Sequence, residues 1–124
     1  KEAGVTAQNN NHRIDYIEFS ATDIAATKKF YTTVFDWKFT DYGPDYTSFE
    51  DGRMSGGFAK VQSMPGNGAL VVMYSSELEK TQNVVVRSGG TITKPPFTFP
   101  GGRRFHFTDP NGNELAVWSE QKPS

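Results

Sequence analysis

Five side chains in this chain have the chemistry to bind or react with a small molecule. Tyr16 and Glu18 alternate along one β-prone stretch, Arg104 and His106 alternate along another, and Trp118 lies in a third near the end of the chain. Because side chains two residues apart on a strand share a face, each pair is predicted to point in one direction. The sequence therefore predicts a site lined by a phenol, a carboxylate, a guanidinium, an imidazole and an indole.

Two of these residues, Glu18 and His106, are candidates for catalysis, and the other three are candidate ligand contacts. A carboxylate beside a cation stays ionised and a desolvated one holds its proton more tightly, so Glu18 could orient a ligand or act as a general base. Each candidate also has a structural alternative. Glu18 could form a salt bridge or stand in water at a strand edge, and His106 could be a hydrogen-bonded sheet histidine. The sequence leaves these alternatives open.

The composition excludes several classes of protein. The 124 residues include no cysteine, which excludes disulfides, thiolate metal sites and cysteine nucleophiles and fits a reducing cytoplasm. Thirteen basic and fourteen acidic residues leave a formal net charge of -1, so neither nucleic acid nor an anionic membrane is an expected partner. No apolar run approaches the roughly 20 residues that span a bilayer. We therefore expect a soluble, cytoplasmic protein.

The pattern of apolar residues and turn dipeptides predicts the same order of elements twice. The first half reads as a strand, a helix over 24–35 that Thr22-Asp23 opens, and three strands. The second half repeats this order, with a capping box at Ser76 opening its helix and Pro95-Pro96 ending the strand that follows. The predicted division is a tail or cloning remnant over 1–12, a first βαβββ module over 13–62, a linker over 63–68, a second βαβββ module over 69–120 and a tail over 121–124.

Two such modules favour an α+β fold in which side-by-side sheets enclose a cleft. If Phe19 and Phe105 pack in the core, Glu18, Arg104 and His106 face this cleft together with Tyr16. The alternative is an ordinary α+β sandwich without a cleft.

Two motifs, in this order along the chain, resemble the vicinal oxygen chelate superfamily of glyoxalases, bleomycin resistance proteins and extradiol dioxygenases. The first leads from Ile14-Asp15-Tyr16-Ile17-Glu18 to Lys29-Phe30-Tyr31-x-x-Val34-Phe35-x-Trp37, and the second is Asp109-Pro110-x-Gly112-Asn113-Glu114. The likeness covers about residues 13–120, and the stretch 99–110 resembles a small glyoxalase-like branch. The resemblance implies two modules in tandem that form one curved mixed sheet around a cleft, with the helices on its outer face.

The resemblance also identifies where a metal would bind. In metal-dependent members, four cleft-facing strand positions supply the ligands, usually His or Gln in the opening strands and Glu in the closing ones. The matching positions here hold Tyr16, Gly56 or Gly57, Leu70 and Ala116, which are not a set of divalent-metal ligands. We therefore expect the fold of the superfamily without its metal, and no other cofactor.

Three functions follow as hypotheses. The leading one is a glyoxalase-like or bleomycin-resistance-like protein that binds a small, planar or anionic organic molecule in its cleft without a divalent metal. The alternative is a lyase, isomerase or dioxygenase-like enzyme acting on a small carbonyl compound, in which Glu18 or His106 moves a proton and Arg104 stabilises the enolate. The second alternative is a dimeric interaction module. Superfamily members of this length often dimerise, so a homodimer is expected.

Overall fold

The computed structural model describes residues 10–120, which form an α+β fold of eight strands and two helices. The α+β class expected from the sequence is confirmed, whereas the cleft and the module limits stay predictions. Residues 1–9 of the predicted tail over 1–12, and the whole predicted tail over 121–124, lie outside the described residues. Neither helix in the described part is long and apolar enough to cross a membrane. The elements are β1 (Ile14–Ala21), α1 (Ile24–Phe35), β2 (Lys38–Asp41), β3 (Tyr46–Glu50), β4 (Ser55–Lys60), β5 (Leu70–Tyr74), α2 (Leu78–Arg87), β6 (Thr91–Phe99), β7 (Gly102–Thr108) and β8 (Glu114–Glu120).

The chain divides into two compact units, and each is a small mixed sheet with one helix. Among the described residues, unit 1 is Tyr16–Leu70 and unit 2 is 10–15 with 71–120. In unit 1 the strand order is β2-β3-β4-β1, and β1 runs parallel to β4. In unit 2 the order is β5-β8-β7-β6, and β5 runs parallel to β8. Parallel neighbours need a long crossover connection, which the helix and two following strands provide in each unit.

Helix α1 begins and ends as its sequence predicts. The Asp23 side chain accepts a hydrogen bond from the Ala26 N–H at 2.9 Å, which satisfies one of the free N–H groups of the first turn. The predicted start at Thr22-Asp23 is therefore confirmed. The helix also leaves large apolar side chains exposed, since Phe30, Val34 and Phe35 keep 54%, 52% and 58% of their surface in solvent.

The core of unit 1 is a cluster of aromatic rings between α1 and the sheet. Phe19 stacks on Phe58 with ring centroids 5.2 Å apart, and Phe49 stacks on Trp37 at 4.4 Å. Tyr31 of α1 joins this cluster through Trp37 at 4.6 Å. Because neighbouring strand residues point to opposite faces, Tyr16 and Glu18 lie on the sheet face away from this core.

Unit 2 has a second, separate core. Phe105 of β7 is 0% exposed and is clustered with Leu78 of α2 and Val117 of β8. The alternation along β7 therefore turns Arg104 and His106 to the face away from α2. The register of β7 with β8 puts these two residues directly beside Trp118 and Ala116.

Two prolines do not end β6, contrary to the prediction. The strand runs from Thr91 to Phe99 through Pro95 and Pro96, with register shifts against β7 on either side of Lys94. Within the described sheet order β6 is an edge strand, where one side of the backbone needs no ladder partner, so it tolerates residues that lack an N–H. The predicted break is wrong, and residues 95–99 belong to the sheet.

The predicted capping box of α2 is also wrong. The helix begins after Glu77, whose side chain makes no capping hydrogen bond. The hydroxyl of Ser75, a buried residue, instead accepts from the Glu77 N–H at 3.0 Å. The Ser76 N–H donates to the side chain of Asn11 at 2.9 Å. Asn11, which the sequence assigns to the tail, therefore contacts the start of this helix.

Candidate functional site

Three hydrogen-bonded side chains lie on the face of the unit 1 sheet that points away from its core. The hydroxyl oxygens of Tyr16 and Tyr46 are 2.6 Å apart, and the Tyr46 hydroxyl donates to Oε1 of Glu18 at 3.3 Å. A tyrosine has one hydroxyl proton, so when Tyr46 donates to Glu18 the bond between the phenols is donated by Tyr16. The hydrogen bonds therefore lead from the Tyr16 hydroxyl through the Tyr46 hydroxyl to the Glu18 carboxylate.

Gly57 leaves the space that the hydrogen-bonded side chains of Tyr16 and Tyr46 occupy. A Cβ atom at Gly57 would lie 2.0 Å from the Tyr46 hydroxyl oxygen and 2.6 Å from that of Tyr16. At Gly56 the Cβ would instead meet the core, 2.5 Å from the Phe49 ring. Of the two glycines matched to a family ligand position, Gly57 therefore shares the face of Tyr16.

The surroundings of Tyr46 keep its hydroxyl protonated. Burial raises the pKa of the Tyr46 hydroxyl well above its ordinary value, and the hydrogen bond with Tyr16 and the negative charge of Glu18 raise it further. At neutral pH the Tyr46 hydroxyl is therefore a hydrogen-bond donor to the carboxylate.

Unit 2 carries an aromatic surface around an arginine. The guanidinium carbon of Arg104 lies 5.5 Å from the ring centroid of Phe97 and 5.7 Å from that of Phe99. Both distances are within the range in which a cation is attracted to an aromatic face. Trp118 of β8 lies beside Arg104 in the sheet register, and its ring is 6.3 Å from that of Phe99. We call Phe97, Phe99, Arg104 and Trp118 the aromatic platform.

The indole of Trp118 is held in place by its own hydrogen bond. Its Nε1–H donates to Oδ2 of Asp15 at 3.0 Å. Tyr74 packs edge-on against the indole at 5.2 Å and donates its hydroxyl proton to Glu120. Trp118 can therefore offer a ligand its ring rather than its N–H group.

His106 adjoins the platform, with its ring 5.7 Å from that of Phe97, and is 4% exposed. Its Nδ1 is 3.4 Å from Oε2 of Glu114, while Nε2 has no hydrogen-bond partner within residues 10–120. Burial lowers the pKa of the His106 imidazole, the positive charges of Arg104 and Lys94 lower it further, and Glu114 opposes them. His106 is thus neutral at neutral pH, and the proton on Nδ1 that Glu114 favours leaves a lone pair on Nε2.

This lowered pKa predicts a pH-dependent stability. An unfolded histidine titrates near pH 6.5, and the folded His106 titrates below that, so the unfolded chain binds more protons as the pH falls. The stability from neutral His106 is complete above about pH 6.5 and is lost as the pH falls towards the folded pKa. We expect the free energy of unfolding in urea to fall more between pH 7.5 and pH 5.5 for the wild type than for His106→Gln.

The control is the substitution His12→Gln, which removes the other histidine of the chain. Equal losses of stability in the wild type and in His106→Gln would contradict the lowered pKa of His106.

The family's metal positions do not form a metal site in this chain. Gly57, Leu70 and Ala116 have no side-chain donor atom, and the Tyr16 hydroxyl is bonded to Tyr46. Across residues 10–120, no three His, Cys, Asp or Glu side chains are grouped closely enough to hold a metal ion. The donor set of these strands does not fit a divalent cation.

The predicted site residues are thus distributed over both units. Unit 1 contains Tyr16 and Glu18. Unit 2 contains Arg104, His106 and Trp118. Sequence reasoning missed Tyr46, although alternation along its strand could have placed it on the face of Ser48. It also missed both phenylalanines of the platform, because the two prolines before them were read as a break.

A family model described as the glyoxalase/bleomycin resistance protein/dioxygenase superfamily matches residues 13–117. The chain belongs to this superfamily. The resemblance stated from the sequence motifs is therefore confirmed.

Individual superfamily relatives are distant. A glyoxylase-like domain-containing protein of Didymella fabae is 28% identical over 85% of this chain and 91% of its own length. The anthracycline biosynthesis protein DauV of a Streptomyces species is 30% identical over 83% of this chain and 45% of its own. A putative glyoxylase, CFP32 of Mycobacterium bovis, is 22% identical. The chain spans about half the length of these last two proteins.

Solved structures share the fold. A hypothetical protein of Bacillus halodurans superposes with a TM-score of 0.73 at 15% identity, covering 91% of this chain and 97% of that one. A methylmalonyl-CoA epimerase of Streptomyces coelicolor superposes with a TM-score of 0.68 at 13% identity, covering 90% and 99%. At these identities the likeness is one of fold, and one fold of this kind carries several functions.

Proposed function

We propose that this superfamily member binds a small, planar, anionic organic molecule on its aromatic platform, without a divalent metal ion. The observation that carries the proposal is the position of the Arg104 guanidinium, 5.5 and 5.7 Å from the rings of Phe97 and Phe99 and beside Trp118. A guanidinium binds carboxylates through paired hydrogen bonds, and aromatic faces stack on flat molecules.

The electrostatics of the platform support an anionic ligand. Arg104 and Lys94 both act on His106 as positive charges, and the imidazole itself stays neutral. The rings restrict the guanidinium, so less side-chain entropy is lost when a ligand binds. A flat carboxylate therefore suits this surface better than a cation or a bulky aliphatic molecule.

The donor chemistry of the strands supports the metal-free part of the proposal. The positions that hold ligands in metal-dependent relatives carry a phenol, a glycine and two aliphatic side chains here. The alternative function, proton transfer on a carbonyl compound by Glu18 or His106, stays a prediction, and in it the hydrogen bond from the Tyr46 hydroxyl would orient the Glu18 carboxylate.

The test is a calorimetric titration with benzoate as the planar anion and cyclohexanecarboxylate as its non-planar counterpart. We expect the wild type to bind benzoate more tightly, with the same Kd before and after treatment with EDTA. Arg104→Ala should raise the Kd for benzoate at least about tenfold, because a hydrogen bond to a charged group is lost.

Arg103→Ala is the matched control. Arg103 neighbours Arg104 but points to the other face of β7, where it forms a salt bridge with Glu79 of α2. Its loss should leave the Kd for benzoate unchanged. The proposal fails if the wild type does not bind benzoate, if the two arginine variants bind it equally, or if binding requires an added metal.

A further inference from the structure

We infer that the ligand of the aromatic platform also donates a hydrogen bond to Nε2 of His106, so that the site selects planar anions that carry a hydroxyl group. This inference rests on the proposed function, and it names the chemical class of the ligand more closely. It is carried by one atom, because Nε2 of His106 is buried and has no hydrogen-bond partner within the described residues.

A buried polar atom without a partner costs free energy. A neutral imidazole has one donor and one acceptor nitrogen, and in His106 the donor side faces Glu114 at 3.4 Å. The acceptor nitrogen is therefore the one left unsatisfied. Most such atoms in native proteins are paired with protein or ordered water, and we assign the missing donor of this one to a hydroxyl of the ligand on the adjoining platform.

The orphan atom adjoins the platform. The imidazole ring of His106 lies 5.7 Å from the ring of Phe97, and Phe97 is also the ring that approaches Arg104. His106 and Arg104 are two residues apart on β7 and share a face, so their Cα atoms are about 7 Å apart. The two side chains therefore leave the same face of β7 close enough for one flat molecule to carry an anionic group to Arg104 and a hydroxyl to His106.

Phe97, whose ring lies 5.7 Å from that of His106, is on an irregular part of β6. Phe97 follows Pro95 and Pro96, and the register of β6 against β7 shifts between Lys94 and Phe97. Because the prolines donate no hydrogen bonds to the ladder, the backbone before Phe97 is held less firmly than a regular strand. We therefore expect a ligand to reach Nε2 by displacement of the segment at Pro95 and Pro96, with the Phe97 ring kept in the platform.

A positive charge on His106 would remove this selectivity. The groups that face the imidazole are Arg104 on its own strand, Lys94 on β6 and Glu114 on β8. Two cations against one carboxylate, together with burial, keep Nε2 unprotonated at neutral pH. The atom is therefore a hydrogen-bond acceptor, which a hydroxyl can satisfy and a second carboxylate cannot.

The experiment compares benzoate with its three hydroxylated isomers, 2-, 3- and 4-hydroxybenzoate, by calorimetric titration at pH 7.5. In the wild type we expect at least one isomer to bind about five- to tenfold more tightly than benzoate, the gain typical of one hydrogen bond. In His106→Phe, which keeps an aromatic ring but has no acceptor, that isomer and benzoate should bind equally.

The outcomes separate the two proposals. Failure of the wild type to bind benzoate or any isomer overturns the proposed function. Binding of benzoate with no preference for any isomer, or a preference that persists in His106→Phe, overturns the inference about His106 and leaves the proposed function standing.

A second measurement covers the case in which His106→Phe does not fold. The substitution His12→Gln leaves His106 as the single histidine of the chain, so its imidazole nitrogens give one pair of ¹⁵N resonances. We expect the Nε2 resonance of this variant to have the shift of an unprotonated nitrogen. It should move towards the hydrogen-bonded value when the preferred hydroxybenzoate is added, but not when benzoate is added. An Nε2 shift that responds identically to both compounds overturns the inference.

Discussion

Phe105→Ala should lower the free energy of unfolding by about 3–5 kcal/mol, the usual cost of truncating a buried phenylalanine. Phe105 is 0% exposed and lies between Leu78 of α2 and Val117 of β8. Its removal leaves a cavity that these two neighbours, held on two different elements, cannot close. Equilibrium denaturation in urea measures the loss.

Phe30→Ala is the matched control, since it makes the same chemical change at a site that is 54% exposed. A substitution at a surface site is expected to change stability by no more than about 0.5 kcal/mol. If the two variants lost similar stability, the packing assigned to Phe105 in unit 2 would be wrong.

Gly56→Ala should lower the free energy of unfolding by about 3 kcal/mol or more, although it adds only one methyl group. The new Cβ would lie 2.1 Å from the carbonyl oxygen of Ile17 and 2.5 Å from the Phe49 ring. The first contact is with the backbone of β1, which is paired with β4 at this point. No rotation of a side chain relieves it, so the two strands must separate.

Gly66→Ala provides the comparison. A Cβ at Gly66 would meet nothing within 4 Å, and this glycine does not have a positive φ. The substitution should be neutral or slightly stabilising, because alanine restricts the unfolded chain more than glycine does. Equal stability of the two alanine variants in urea would contradict the close pairing of β1 with β4.

The adjacent glycines show where sequence reasoning stops. The sequence matched either Gly56 or Gly57 to a family ligand position and could not separate them. The choice depends on strand register, since a shift of one residue exchanges the two faces of the strand. The structure shows which glycine shares the face of Tyr16, through contacts with residues distant in the chain: the Phe49 ring on one face and the Tyr46 hydroxyl on the other.

The prolines of β6 show a second limit. A local rule that treats Pro95-Pro96 as a break is sound for a central strand, but it fails at an edge, where one side of the backbone has no partner to lose. That error removed Phe97 and Phe99 from the predicted site. Whether a strand lies at an edge is decided by the order of strands in the sheet. Residues adjacent in the sequence do not determine that order.

By itself the sequence determined the α+β class, the superfamily, and the limits of α1 with its Asp23 cap, because these follow from periodicity and contacts within a few residues. Only the tertiary structure decided which distant side chains meet. The hydrogen bond from Tyr46 to Glu18 joins residues 28 positions apart, and the orphan Nε2 of His106 depends on the elements that surround it. Such contacts are set by register and burial, and both are properties of the folded sheet rather than of any local stretch of sequence.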